Sequence, residues 1–356
     1  MEKQRTIFLT GFPGFIAERL VARLARPGTQ FYLLVQPAFT ELAKRSVENI
    51  AATTGADAAD FAIVEGDITQ PDLGIAHEDL DEIRRETTDV FHLAAVYDLA
   101  VPKELAYAVN LDGTRNVNDL ARSLPNLRRC NYISTCYVAG RRTGRIFEND
   151  LEHDAGFRNH YEETKYLAEV EVEKLKNELP VTIFRPSVVV GDSRTGETAK
   201  YDGIYSLVLY LQKAPGLLRL LNVGNRDVRL NLVPVDFVVD GIAALSDDEA
   251  AVRKTIALAD PEPLATSELF DVIAKNLSGK KSVIAPPPAL VEWSLSLPFS
   301  PPLTGLPHAA VPYFFLSQTY DTSVAGDLLT KHGIRCPNFR DYAANLIRFV
   351  NEHPNL

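Results

Sequence analysis

Short apolar runs alternate with stretches in which apolar residues return every three or four positions, and the alternation persists over the first half of the chain. Thr6-Ile7-Phe8-Leu9, Phe31 to Val35, Phe61 to Val64, Val90 to Ala95, Asn131 to Thr135 and Val181 to Phe184 each fit a buried strand. Leu20, Val21 and Leu24 open a helical pattern after the first run. Helical spacing returns over Phe39 to Ala52, Asp79 to Glu86, about Pro102 to Leu124 and about Tyr161 to Leu179. Pro102 suits a first helical turn, and Pro180 stops the last of these helices. Strands that alternate with helices predict a parallel sheet covered on both faces, a doubly wound α/β (Rossmann) fold.

After residue 190 the regular alternation breaks down. Leu207 to Leu221 is apolar and helical, Leu230 to Val233 reads as a strand and Val235 to Leu245 as a helix. Pro286 to Pro312 is too interrupted for a core helix; its Leu290, Trp293, Leu295, Leu297, Phe299 and Leu303 suit a tunnel wall, a membrane-facing patch or the core of a lobe. Asp321 to Lys331 and Phe339 to Val350 read as two closing helices. The organisation expected is a dinucleotide-binding core over 1–190, with a returning segment near 228–260. A smaller C-terminal α/β lobe, 191–227 and 261–356, would bind substrate over the sheet's carboxyl edge, where open α/β sheets bind ligands.

Between the first strand and first helix lies Thr10-Gly11-Phe12-Pro13-Gly14-Phe15-Ile16-Ala17. A strand that turns through glycines into a helix is a phosphate cradle: backbone can approach the ligand closely, and the helix offers unpaired N–H groups. The spacing is G-x-x-G-x-x-A, with Ala17 where the last glycine of the usual fingerprint would stand. The net charge of −10 over 356 residues argues against a nucleic-acid partner. Cys130, Cys136 and Cys336 show neither metal spacing nor a disulfide framework, which fits a reducing compartment, with the cytoplasm as default. No metal site is expected. The N-terminus runs into the first strand without a signal-peptide pattern, and no run of apolar residues is long enough for a membrane span.

Tyr161 and Lys165 are four residues apart, which on a helix places both on one face. An ammonium beside a phenol favours the phenolate and makes the tyrosine a usable acid or base. Thr135, at the end of the fifth strand, could donate to a substrate oxygen beside that tyrosine, or bond to backbone. Cys136 invites a thiolate mechanism instead, but no histidine lies nearby in sequence and its side chain would take the opposite face of the strand.

Several motifs stand in one order: Thr10-Gly11-x-x-Gly14, Gly66-Asp67-Ile68, His92-Leu93-Ala94-Ala95, Asn110-Leu111-x-Gly113-Thr114, Ile133-Ser134-Thr135, Tyr161-x-x-x-Lys165, Arg185-Pro186-Ser187 and Val233-Pro234-Val235-Asp236. Together they resemble the extended short-chain dehydrogenase/reductase family over roughly residues 5 to 245. Ser134-Thr135-Cys136-Tyr137-Val138 and the Gly191-Asp192-Ser193 region look most like its fatty acyl-CoA reductase and thioester reductase branch, also called male-sterility-like. The resemblance implies that Gly11, Pro13, Gly14, Phe15 and Ile16 line a pyrophosphate. Asp67 and Ile68 would meet the adenine, Ala94 and Ala95 would lie beneath the cofactor, Pro186 would start the loop against the carboxamide, and Val188 would also bind the cofactor. Tyr161, Lys165 and Thr135 would be catalytic, with Asn110 supporting the lysine, and Tyr97 and Tyr137 would join Thr135 and Tyr161 around substrate.

Gln36 follows the second strand where an NAD site usually has an acid, so NADP(H) is favoured over NAD(H), with Arg45 or Lys44 within reach of a 2′-phosphate. The function this implies is reduction of a fatty acyl thioester, acyl-CoA or carrier-bound, to an aldehyde, with further reduction to an alcohol left open. A dehydrogenase or ketoreductase of a hydrophobic alcohol or ketone would use the same residues, and a nucleotide-sugar epimerase and a non-catalytic dinucleotide sensor are further alternatives. A monomer or homodimer is expected.

Overall fold

A computed structural model describes residues 5–213, 222–279, 282, 284–297 and 308–356. Its centre is a seven-stranded parallel sheet. The strands are β1 (Arg5–Thr10), β2 (Thr29–Val35), β3 (Phe61–Glu65), β4 (Asp89–His92), β5 (Arg129–Ile133), β7 (Val181–Pro186) and β10 (Thr255–Leu258). The spatial order is β3-β2-β1-β4-β5-β7-β10. The order reverses between β1 and β4, the switch point at which doubly wound sheets bind ligands.

Apolar layers cover both faces of the sheet. On one face α1 (Phe15–Leu24), α2 (Thr40–Thr54) and α8 (Val235–Ser246) pack against Ile7, Leu9, Leu33 and Phe91. On the other, α3 (His77–Glu86), α5 (Gly113–Arg122) and α6 (His160–Leu175) meet Phe8, Val90, Tyr132 and Ile183. A further core gathers Val190 of β8 (Val188–Val190), Leu232 of β9 (Leu232–Pro234), and residues of α7 (Ile204–Lys213), α9 (Thr266–Ser278) and α12 (Phe339–Glu352).

Most expected elements stand where the pattern placed them, and the departures have physical causes. The fourth strand stops at His92 and the fifth at Ile133, so Leu93 to Ala95 and Thr135 lie in the loops beyond the sheet's carboxyl edge. The helix expected from Pro102 is α4 (Lys103–Ala106), a π-helical turn (Tyr107–Asp112) and α5; such turns are frequent at functional sites. The polar loop after residue 140 contains β6 (Gly144–Ile146), which pairs in parallel with β11 (Gln318–Tyr320). Glu148, at its end, accepts the N–H groups of Ala257, Val324 and Ala325, tying β10 and α11 (Ser323–Lys331) together. In the Pro-rich stretch, Pro288–Leu295 forms a short helix, α10, with Leu290 and Trp293 exposed. Residues 214–221 of the expected helix, and Phe299 and Leu303, lie outside the described residues. No helix among the described residues is long and apolar enough to cross a membrane.

Candidate active site

The switch point opens into a cleft of about 740 Å³. Its walls bring together the residues of the glycine loop, the ends of β1, β3, β4 and β5, the N-terminal half of α6 and the segment after β7. Gly11 has φ +95°, and a Cβ there would lie 2.8 Å from the backbone nitrogen of Ala94. Only glycine lets β1 and the loop after β4 approach this closely. Gly14 precedes α1 and gives it no side-chain cap, so the helix's first N–H groups are available to an anion at the cleft. The loop, the volume and this uncapped helix end fit a dinucleotide.

Of the residues that sequence singled out, Gly11, Pro13, Gly14, Phe15, Ile16, Gln36, Asp67, Ile68, Ala94, Ala95, Tyr97, Thr135, Tyr137, Tyr161, Lys165, Pro186 and Val188 line this one cleft. Arg45 and Asn110 do not. Arg45 is an exposed residue of α2 whose Nε turns back to the carbonyl of Glu41, and Lys44 is bound by Glu41 at 2.7 Å. Asn110 sits in the π-helical turn. Its Oδ1 accepts the Val96 N–H at 2.8 Å and its Nδ2 donates to Thr164 Oγ1 at 3.1 Å. It thereby fixes the loop after β4 against α6 at Thr164, the residue before Lys165.

Tyr161 and Lys165 share the face of α6 that is turned to the cleft, and both are buried. Asn159 caps this helix by accepting the Glu162 N–H. Thr135 accepts the Tyr137 N–H at 3.2 Å and lines the cleft together with Tyr161. Tyr97 stands edge-on to Tyr161 with ring centres 5.3 Å apart. The Lys200 ammonium lies 4.9 Å above Tyr97 and pairs with Asp202 at 2.7 Å. Tyr137 packs on Tyr313, whose hydroxyl donates to Glu162.

The electrostatics differ from the expected phenol–ammonium pair. Lys165 Nζ donates to Tyr132 Oη at 3.0 Å and to the Ile133 carbonyl at 2.9 Å. Burial lowers its pKa to about 7, against the pull of Glu169. Burial raises Tyr161 above an ordinary phenol, opposed by the nearby Thr135 side chain, so near neutral pH it is a proton donor rather than a phenolate. Burial also raises the Cys136 thiol, which donates to the Arg185 carbonyl; a neutral, bonded thiol is a poor nucleophile. Beneath the site Glu169 accepts from Arg185 Nε at 2.8 Å and Nη2 at 2.5 Å and bonds Ser134.

Sequence reasoning missed Tyr132, Glu169, Lys200 and the apolar wall of Leu105, Val109 and Val189. Glu169 was findable, since it lies one turn beyond Lys165 on the same helix face. Tyr132 sits in a strand with every residue buried, where no alternation shows which side chain faces the helix.

A switch-point cleft with this loop and a Thr/Tyr/Lys cluster is the construction of an extended short-chain dehydrogenase/reductase. Within that class the chain belongs to the family described as "Male sterility protein", whose model matches residues 9–242. The relatives include fatty acyl-CoA reductase wat of Drosophila melanogaster, 27% identical over 285 residues, covering 70% of this chain and 55% of the relative. A carboxylic acid reductase of Segniliparus rugosus is 26% identical over 271 residues, covering 68% of this chain and 23% of the relative. The chain thus spans about half the length of the fatty acyl-CoA reductases it matches. The terminal R domain of the myxalamid PKS-NRPS pathway shares the fold, with a TM-score of 0.84, 24% identity and coverage of 100% of this chain and 92% of that one.

Proposed function

We propose that this chain is an NAD(P)-dependent reductase that converts an acyl thioester, acyl-CoA or carrier-bound, to the aldehyde and a free thiol. The observation that carries the reading is that Thr135, Tyr161 and Lys165 line the same cleft as the Gly11–Gly14 loop. The reductases among the relatives support the thioester as substrate. The apolar side chains of Leu105, Val109, Val188 and Val189 in the cleft wall suit an acyl chain.

When bound, the reduced nicotinamide would supply two electrons and a hydrogen to the thioester carbonyl carbon. Gly11 to Ile16 would hold its pyrophosphate, Ile68 and Asp67 its adenosine, and Lys165 the ribose nearest the reacting carbon. Tyr161, neutral at working pH, would donate its proton to the carbonyl oxygen as negative charge develops there. Thr135 would add a second hydrogen bond to the same oxygen. The resulting tetrahedral adduct expels thiol and leaves the aldehyde. No enzyme-bound covalent intermediate is needed, which agrees with the buried, neutral Cys136.

We place NADP(H) first because Gln36 stands where an acid would repel a 2′-phosphate. A specific observation favours NAD(H) as the second reading: Gln36 donates to the Asp67 carboxylate at 3.2 Å, and Lys165 and Lys200 are the basic side chains in the described wall. The test incubates the protein with NADPH or NADH and acyl-CoA thioesters of increasing length, following nicotinamide absorbance and trapping aldehyde. Matched cofactor oxidation and aldehyde, lost in Tyr161→Phe, is expected. Saturable cofactor binding without turnover would remove acyl-CoA as substrate and turn the search to carrier-bound thioesters, then to hydrophobic ketones and alcohols.

A further inference from the structure

Lys165 has three protons to place, and two are committed to Tyr132 Oη and the Ile133 carbonyl. With two donor directions fixed on the sheet side, the remaining direction of the tetrahedral ammonium is fixed as well. Tyr132 is itself held. Its ring lies against His92, with centres 5.5 Å apart, and its hydroxyl is near that of Thr114. The hydrogens beyond it can be assigned. Thr114 gives its own hydrogen to the Asn110 carbonyl at 2.7 Å, so its oxygen must accept from His92 Nε2 at 3.0 Å. His92 is therefore the Nε2–H tautomer, and its Nδ1 accepts from Thr10 at 2.7 Å, while Thr10 accepts the Ala94 N–H at 3.2 Å. The network joins β1, β4, α5, β5 and α6 at the foot of the glycine loop. The hydrogens of Lys165 and Thr114 on the sheet side are given to the Ile133 and Asn110 carbonyls, which cannot pass a proton on. It is an anchor and not a proton wire.

We infer that Tyr132 is a positioning residue for Lys165, its phenol oxygen being the fixed acceptor that aims the ammonium into the cleft and keeps it protonated. The inference rests on the proposed role of Lys165 toward the cofactor ribose. The charged and titratable groups around Lys165 are Glu169 and Tyr161 on its own helix, Tyr132 from β5 and His92 from β4, with Glu169 bound by Arg185 of β7. His92 is held neutral by burial, its pKa down at about 3. Among these groups Tyr132 is the one that accepts a hydrogen bond from the ammonium, so its loss lets Lys165 deprotonate at lower pH.

The test is equilibrium binding of NADPH and of NADH, read by nicotinamide fluorescence from pH 5.5 to 9, in wild type and Tyr132→Phe. Wild type should lose affinity through an alkaline midpoint. In Tyr132→Phe that midpoint should fall by about one pH unit, the scale of a hydrogen bond to a charged group, with near-normal affinity restored at pH 5.5. A Lys165→Met background should abolish the difference. An unchanged midpoint, or an equal loss of affinity at every pH, would overturn the inference, because damaged packing is not rescued by acid. If wild type binds neither cofactor, the functional reading of the cleft fails. Tyr132 is then tested by urea stability of the unliganded protein, whose rise with pH should begin about one unit lower in Tyr132→Phe. If that variant does not fold, Thr114→Val should move the same midpoint in the same direction by less.

Discussion

Replacing Lys165 with methionine should stabilise the unliganded protein while removing its activity, and the gain should depend on pH. The lysine titrates near 7 in the fold against 10.5 in an unfolded chain. Between those values the unfolded state binds the extra proton, so wild-type stability rises with pH, by about 1.4 kcal/mol per unit. At pH 6 both states are protonated, and burying the ammonium costs the full difference, about 5 kcal/mol. Methionine escapes that cost but leaves the Ile133 carbonyl and the Tyr132 oxygen without a donor, at about 1 kcal/mol each. Lys165→Met is therefore expected to exceed wild type by about 3 kcal/mol at pH 6, with the advantage gone by about pH 9. Urea unfolding of both proteins at pH 6, 7.5 and 9, without nucleotide, measures it. An advantage that is constant or grows with pH would refute the reasoning.

Two further substitutions probe the frame around the site. Glu169→Gln leaves the Arg185 guanidinium buried without its counter-charge; a loss of about 3–5 kcal/mol is expected by chemical denaturation, and a loss under 1 kcal/mol would contradict the ion pair's role. Gly11→Ala forces φ +95° on a side-chain-bearing residue and drives Cβ to 2.8 Å from the Ala94 nitrogen. It should cost about 1–3 kcal/mol of stability and at least tenfold in cofactor affinity, measured by nicotinamide fluorescence.

Much of the frame was legible because it repeats. The β1–glycine loop–α1 unit, β2, β3 and the Tyr161–Lys165 face of α6 each carry a local period or a turn residue that points one way. β10 was not legible: Thr255–Leu258 is four residues, buried throughout, and only its pairing with β7 marks it as a strand. β6 and β11 find each other across more than 170 residues and have little apolar pattern of their own. Thr135 lies in the cleft wall but outside the strand: Ile133 is the last residue paired with β7, while Ser134 and Thr135 stay buried beyond it. Spacing also placed Lys165 on the face of Tyr161 without showing that Tyr132 accepts its hydrogen bond. A four-residue interval fixes which face a side chain is on, while its hydrogen bonds depend on what the sheet presents beneath it.

Hydride delivery to an acyl thioester beside Thr135 and Tyr161 leaves an isotopic record in the product. It is tested most directly with nicotinamide cofactor carrying deuterium at C4, using each C4 epimer in turn, and mass analysis of the trapped aldehyde. One epimer should place a single deuterium on the aldehyde carbon and the other none, with no product from Tyr161→Phe. Aldehyde formed without deuterium from either epimer, or formed equally well by Tyr161→Phe, would contradict the account.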